Sequence, residues 1–405
     1  MRSKVFRALI ACVLLLLAGI AANAQAKPGA VSGDVVKIGV LTDLSGVYSD
    51  LSGQGSVVAA QMAIDQFGGK VLGKPIQLLS ADHLNKPDVG ATKAREWYDS
   101  GVDAIFDVPT SSVAIAVNKV AGEKHRLFID STAGATSLVQ ENCNPYFVHY
   151  TYDTYATGGV TGRAVVQHGG KTWFFITADY AFGHSLRDDT SNAVKAAGGQ
   201  VLGDALHPLN APDFSSYILK AQASKAQVIG LANAGGDTIN SIKAAAEFGI
   251  NKSQRLAGLL VFDTDIHSLG LQLTQGMYVA SPYYWDMNND TRKFGQAFFA
   301  KAKKMPTFVQ AGVYSSVLTY LKAVKAAGTD NPDAVMKQLK SMTINDDVFK
   351  NGKIRPDGLM VKEFYLFQVK SPSESKGPWD IYKLVGSVPP DQAFPPMSKK
   401  CSLVK

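Results

Sequence analysis

The sequence is poor in the residues that build metal centres and disulfide frameworks. Three cysteines occur in 405 residues, with no paired C-x-x-C, and the seven histidines are scattered with no HExxH. No phosphate-binding loop of the G-x-x-x-x-G-K-[ST] kind is present, nor a G-x-S-x-G elbow. These absences argue against a zinc enzyme, an NTPase and an ordinary serine hydrolase, and the expected cofactor and metal content is none. Beyond the first 22 residues no stretch holds the ~20 consecutive apolar residues needed to span a bilayer. The formal net charge of +7 is spread along the chain, with short clusters only at residues 301–304 and 399–400. Each reads as a solvated face, so a nucleic-acid partner is not expected.

What is present begins with a targeting signal. Arg2, Lys4 and Arg7 precede the apolar run ALIACVLLLLAGIAA, and Ala22-Asn23-Ala24 and Ala24-Gln25-Ala26 are overlapping A-x-A sites. Residues 1–26 are expected to be a cleaved signal peptide of an exported protein. Cys12 would leave with it, so Cys143 and Cys401 are the two mature cysteines, and export permits a disulfide between them. The composition, 46% hydrophobic and 19% charged, is that of a globular protein long enough for two domains.

Strand and helix patterns alternate. DVVKIGVLT (34–42) is an apolar strand, followed by a polar loop holding Tyr48 and a helix ending at Gly68-Gly69. Residues 76–80 and 102–108 are further strands, with a helix at 89–99 between them. PYFVHYTYDTYATG then breaks the rhythm as an extended aromatic segment, and the alternation restarts with TWFFIT at 172–177. MYVAS (277–281) reads as a second crossover. Helices follow at about 290–304, 309–327 and 332–341, then a β-like stretch from Phe349 to Val369 and a polar Pro/Ser-rich tail. The expected fold class is α/β: two doubly wound parallel-sheet lobes joined by three crossovers, near His149–Tyr152, Met277–Ser281 and Phe349–Gly358. The first lobe would hold residues 27–150 plus 278–352, the second 151–277 plus 353–390, and 391–405 would be a tail.

Two loops carry the chemistry. Thr110-Ser111-Ser112 opens one helix, and Ser131-Thr132-Ala133-Gly134-Ala135-Thr136 follows the next strand. In an open parallel sheet such loops lie side by side at the carboxyl ends of the strands, where ligands bind. Unpaired N–H groups at a helix start, with hydroxyls beside them, suit a carboxylate. The same residues also serve as helix caps, and the sequence leaves both readings open. Ser185, between His184 and Asp188-Asp189, offers no triad geometry within one helical turn.

In order along the chain, KIGVLTDLSGVYSDLSGQGS, PTSS, STAGATS, ADYAFG and YYWD resemble the solute-binding proteins of ABC importers, branched-chain amino-acid type. The resemblance implies the type I periplasmic-binding-protein fold, a cleft closing on a small ligand, and a membrane permease as partner of a monomeric receptor. It also implies roles for individual residues. Ser111 falls where a hydroxyl holds the ligand carboxylate, and Thr132, Ala133 and Gly134 where backbone and side chain complete that grip. Tyr48, Tyr180 and Phe182 fall at aromatic positions, with Phe262 and Tyr283 near them. The acidic residue that pairs with an amino-acid ligand's ammonium is replaced by Leu260 and Val261, with Asp263 further along, and another tyrosine position holds Ala234. Burying an ammonium without a partner is costly, so the resemblance is to the branch that takes aromatic carboxylates. An amino-acid receptor, with Asp263 reaching the ammonium, and an exported hydrolase or amidase using Ser111 or Ser185 are the competing readings.

Overall fold

The computed structural model describes residues 31–404, apart from the side chain of residue 251; the expected signal peptide lies outside the described residues. Six strands form the first sheet: β1 (Val36–Thr42), β2 (Lys70–Val71), β3 (Lys74–Asp82), β4 (Ala104–Asp107), β5 (Leu127–Asp130) and β6 (Phe147–His149). Their order is β2-β3-β1-β4-β5-β6, parallel except for the short antiparallel β2. Four parallel strands form the second: β7 (Thr172–Ala178), β8 (Gln200–His207), β9 (Val228–Ala232) and β10 (Arg255–Gly258), in the order β10-β9-β7-β8. The central strands read as continuous β-branched and aromatic runs because helices cover both faces; β4 and β5 are buried at every residue. In each sheet the chain leaves its first strand to one side, then returns to the other. That reversal is the switch point at which loops part and leave a crevice.

β11 (Tyr278–Ser281) pairs antiparallel with β14 (Phe364–Val369), which pairs with β15 (Tyr382–Val388); β12 (Lys353–Ile354) and β13 (Met360–Val361) make a hairpin. By sheet membership the chain therefore crosses after Ser281, and again only after Val361. Leu359 still bridges His149 of β6, so the passage lies beyond the Phe349–Gly358 stretch expected from sequence. Lys362 stands on this last crossover, fully buried, and donates its ammonium to the carbonyls of Tyr150 (3.3 Å) and Thr151 (2.5 Å) on the first. The stretch from residue 370 is not simply a polar tail: it contains β15, a short helix (Pro390–Ala393) and Cys401, joined to Cys143 with the Cα atoms 5.6 Å apart.

The helix Phe308–Ala327 is the longest described, and all but a few of its residues are buried. Thr307 caps its start by accepting from Gln310 N–H, the Gln310 side chain answers to Thr307 N–H, and Gly328 ends it with a φ of 69°. The same two residues hold the loop after β1: Thr307 donates to Leu51 O (2.7 Å) and Gln310 to Ser52 O (3.0 Å). A helix start thus fixes the loop that carries Tyr48.

Candidate functional site

The carboxyl ends of the two sheets meet around a small cavity. From the first sheet come Tyr48 and Leu51 after β1, Pro109 after β4, Thr132 after β5 and Tyr152 after β6. From the second come Tyr180 and Phe182 after β7, Ala234 after β9, and Leu260 and Phe262 after β10. Each follows the end of a strand, where the topology leaves room for a ligand. The cavity is about 10 Å³, space for roughly one water molecule. A ring enters only if the two sheets part.

Loops from both sheets touch across it. Tyr48 and Tyr180 share a hydrogen bond through their hydroxyls, 2.5 Å apart, and Gly236 N–H donates to Val47 O at 3.1 Å. Asp43 holds the Tyr48 loop in shape, accepting from the N–H groups of Gly46 (2.6 Å) and Tyr48 (2.9 Å) and from the Asn85 amide (2.7 Å). Phe262 stacks on Phe308 with ring centroids 4.8 Å apart, and Tyr152 meets Phe308 edge-on at 5.2 Å. Burial pushes the Tyr48 phenol well above its ordinary pKa, with Tyr180 adding to it, so it is a neutral hydrogen-bonding group. Among the described residues no charged side chain lines the cavity.

Five of the ten candidate residues line this space: Tyr48, Thr132, Tyr180, Phe182 and Phe262. The other five do not, each for a physical reason. Ser111 is fully buried, and its Oγ accepts from Gly134 N–H (3.3 Å) and Ala135 N–H (3.2 Å). The Ala133 N–H, with that of Thr132, goes to Asp130 Oδ1 at 3.1 and 2.9 Å. Gly134 lies behind Tyr152, whose ring would meet an added Cβ at 2.9 Å. The N–H donors of the Thr132–Gly134 turn are thus occupied by the protein's own oxygens, as is the Thr132 hydroxyl, which donates to Asp107, while Ser111 serves as an acceptor in both of its bonds. Asp263 starts a helix directly after Phe262, buried, and faces the phenols of Tyr283, Tyr284 and Tyr382. Burial, with Asp265 adding to it, raises its carboxyl to about 8, which suits a neutral acid better than a partner for an ammonium. Tyr283 is core, packed edge-on against Phe294. Trp285 lines a separate surface hollow with Trp379.

Among the described residues neither serine of the hydrolase reading is paired with a histidine. Ser111 is engaged as above, and Ser185 shares hydrogen bonds with Thr136 and Thr154 (2.8 and 2.7 Å) and approaches Asp189. His184 turns instead to Asp179, and among the described residues no histidine hydrogen-bonds either hydroxyl. Among the same residues no group of three or more His, Cys, Asp or Glu is placed to hold a metal. Leu51, Pro109 and Tyr152 were not singled out from sequence; Tyr152 sits in the aromatic crossover segment, which was the available signal.

A family model described as periplasmic binding protein matches residues 35–378. A periplasmic binding protein from Burkholderia mallei is 55% identical, with a TM-score of 0.90 over 92% of this chain and 100% of that one. A branched chain amino acid ABC transporter periplasmic ligand-binding protein from Burkholderia xenovorans LB400 is 42% identical, with a TM-score of 0.79 over 89% and 97%. The Leu/Ile/Val-binding protein homolog 6 of Brucella melitensis biotype 1 is 25% identical over 308 residues, 73% of this chain and 77% of the relative. At 22% identity, a solute binding protein of an ABC transporter from Rhodopseudomonas palustris BisB5, in complex with 3,4-dihydroxy benzoic acid, shares the fold with a TM-score of 0.79 over 88% and 98%. Two parallel sheets meeting across an aromatic crevice, on a chain matched from residue 35 to 378, place this protein in the periplasmic binding protein family, among the ABC-importer solute-binding proteins of branched-chain amino-acid type.

Proposed function

We propose that this protein is the periplasmic receptor of an ABC importer for a small aromatic carboxylic acid without an amine, which it encloses between its sheets and delivers to a membrane permease. The observation that carries this reading is the lining: five aromatic side chains, three of them phenols, with aliphatic groups and one threonine between them. Aromatic walls give a ring offset-stacking and edge partners, and phenols give it hydrogen bonds. An α-ammonium would find no charged side chain there, because Asp263 lies outside the lining. The bound dihydroxybenzoate of the distant neighbour is consistent with the fold accepting such a ligand. The names of the relatives favour a second reading, a branched-chain amino acid.

The ligand carboxylate would be held at Ser111 and the Thr132–Gly134 turn, whose donors exchange their bonds within the first sheet's loops for the ligand, with Tyr180 and Phe182 closing over the ring. Calorimetry with benzoate, benzamide and leucine tests the proposal. Benzoate binding well above benzamide supports it; leucine binding without benzoate binding reverses the ligand assignment.

A further inference from the structure

Behind the cleft wall lie two carboxyls to which the reading above gives no role. Asp107 ends β4 and Asp130 ends β5, neighbouring parallel strands, and both are fully buried. One cleft-lining residue joins them. Thr132 donates its hydroxyl to Asp107 Oδ1 and its N–H to Asp130 Oδ1 (2.9 Å), and Ala133 N–H adds a second bond to Asp130 (3.1 Å). Among the described residues the other oxygen of each carboxyl, Oδ2, has no hydrogen-bond partner.

The titratable groups facing this pair are acids and phenols. Asp43 faces Asp107, Tyr152 faces both carboxyls, and each carboxyl faces the other. The hydroxyls of Thr42 and Ser56 stand beside Asp107 without closing a well-formed bond to Oδ2. Among the described residues no lysine, arginine or histidine pairs with either. Asp107 is moreover held with a φ of 74°, and Val108 with 81°, a region that a β-branched residue seldom enters. Two buried carboxyls linked through one residue, with no cation, do not both ionise. A ligand carboxylate at the Thr132–Gly134 turn brings a further negative charge to the same place.

We propose that Asp107 and Asp130 make acid binding proton-coupled: the ligand enters as its carboxylate together with a proton from solvent, which the pair holds behind the cleft wall. This rests on the cleft being an acid receptor. No bond to the ligand is made or broken; the buffer acid gives up its proton, and Asp107 gains it at a carboxyl oxygen. Burial places Asp130 well above the ordinary carboxylate range and Asp107 at about 6. Asp107 is the group that changes state, ionised at pH 7.5 without ligand and protonated with it. The pair also sets specificity, since a neutral amide draws in no proton and an amine drives one out.

The test is calorimetry of the full-length mature protein with benzoate, in two buffers of different ionisation enthalpy, at pH 5.5 and 7.5. The expected result is uptake approaching one proton at pH 7.5 and little at pH 5.5. The dissociation constant should rise by up to about tenfold per pH unit above 6, and benzamide should show no uptake. Asp107→Asn should abolish both the uptake and the pH dependence, and the buffer comparison on the unaltered protein decides the matter if that variant does not fold. Benzoate binding with no proton exchange, or with proton release, overturns this inference while leaving the receptor reading in place. Failure of benzoate to bind at either pH overturns both.

Discussion

Tyr48 and Tyr180, 132 residues apart, join their phenol oxygens at 2.5 Å across the crevice between the two sheets. Tyr48 is carried by a loop that Asp43 and the start of the helix Phe308–Ala327 hold in place, and Tyr180 ends the turn after β7. The bond therefore couples two rigid supports, and it forms only when they are close together. A neutral hydrogen bond contributes about 0.5–1.5 kcal/mol, enough to shift an opening equilibrium several-fold. Tyr180→Phe should leave the ligand-free protein more open, seen as a larger radius of gyration in solution scattering, while the saturated protein stays compact. Identical apo profiles for the two proteins would remove the phenol pair from any role in closure.

The bridge between Cys143 and Cys401 closes a span of 258 residues, and Cys401 is fully buried. Constraining so long a loop in the unfolded chain contributes ~2–5 kcal/mol. Reduction, or Cys401→Ser, should lower the denaturant midpoint by the corresponding amount. Neither cysteine lines the cleft, so ligand affinity should be unchanged. Equal midpoints with and without reductant would show that the bridge carries no stability.

The aromatic wall was legible in the sequence because its members sit where a pattern ends: Tyr48, Tyr180 and Phe262 each follow an apolar strand. The carboxylate grip was not. Ser111 and the Thr132–Gly134 turn look like free donors along the chain, and only the fold shows Asp107 and Asp130, at the ends of adjacent strands, using some of them. Asp263 failed for a related reason. It directly follows Phe262, and at a helix start that single step takes the side chain out of the crevice lining. β15 was hidden by its flanks, since YKLVGSV lies between Pro- and Ser-rich stretches that read as tail. Partnership between distant residues, and the direction of a side chain at a turn, are tertiary properties that local spacing does not encode.

Gly235 makes the closed form possible. Its φ is 57°, and a Cβ there would stand 2.5 Å from Val47 O and 3.2 Å from the Tyr48 ring. Those atoms belong to the loop after β1, so the clash exists only when the crevice is shut. An alanine in this sparsely populated backbone conformation costs roughly 1–3 kcal/mol by itself. Gly235→Ala should weaken ligand binding about tenfold or more while the thermal midpoint falls only slightly. Unchanged affinity would mean that closure on ligand does not bring Val47 onto this helix start.

Stability should depend on pH in a direction opposite to that of many proteins. Burial raises the carboxyls of Asp153 and Asp263 to about 8, Asp265 to about 7 and Asp107 to about 6. The unfolded chain releases these protons near an ordinary value of about 3.9. Between that value and the folded ones the native state binds more protons, so stability falls as pH rises. His83 and His149 act the other way: burial lowers both to about 4, so their contribution is lost as pH falls from about 6.5. Lys362, lowered by burial to about 7, also opposes the carboxyls, restoring stability as pH rises above 7. Between pH 6 and 7.5 both opposing sets are engaged, but the four carboxyls outweigh the two histidines and the one lysine, so the carboxyls govern. The thermal midpoint should therefore drop as pH is raised from 6 to 7.5 at constant ionic strength. Asp263→Asn should flatten that slope, because the amide has no proton to lose. Scanning calorimetry across this range decides it, and a midpoint that climbs from pH 6 to 7.5 would show that these carboxyls are not held protonated in the folded protein.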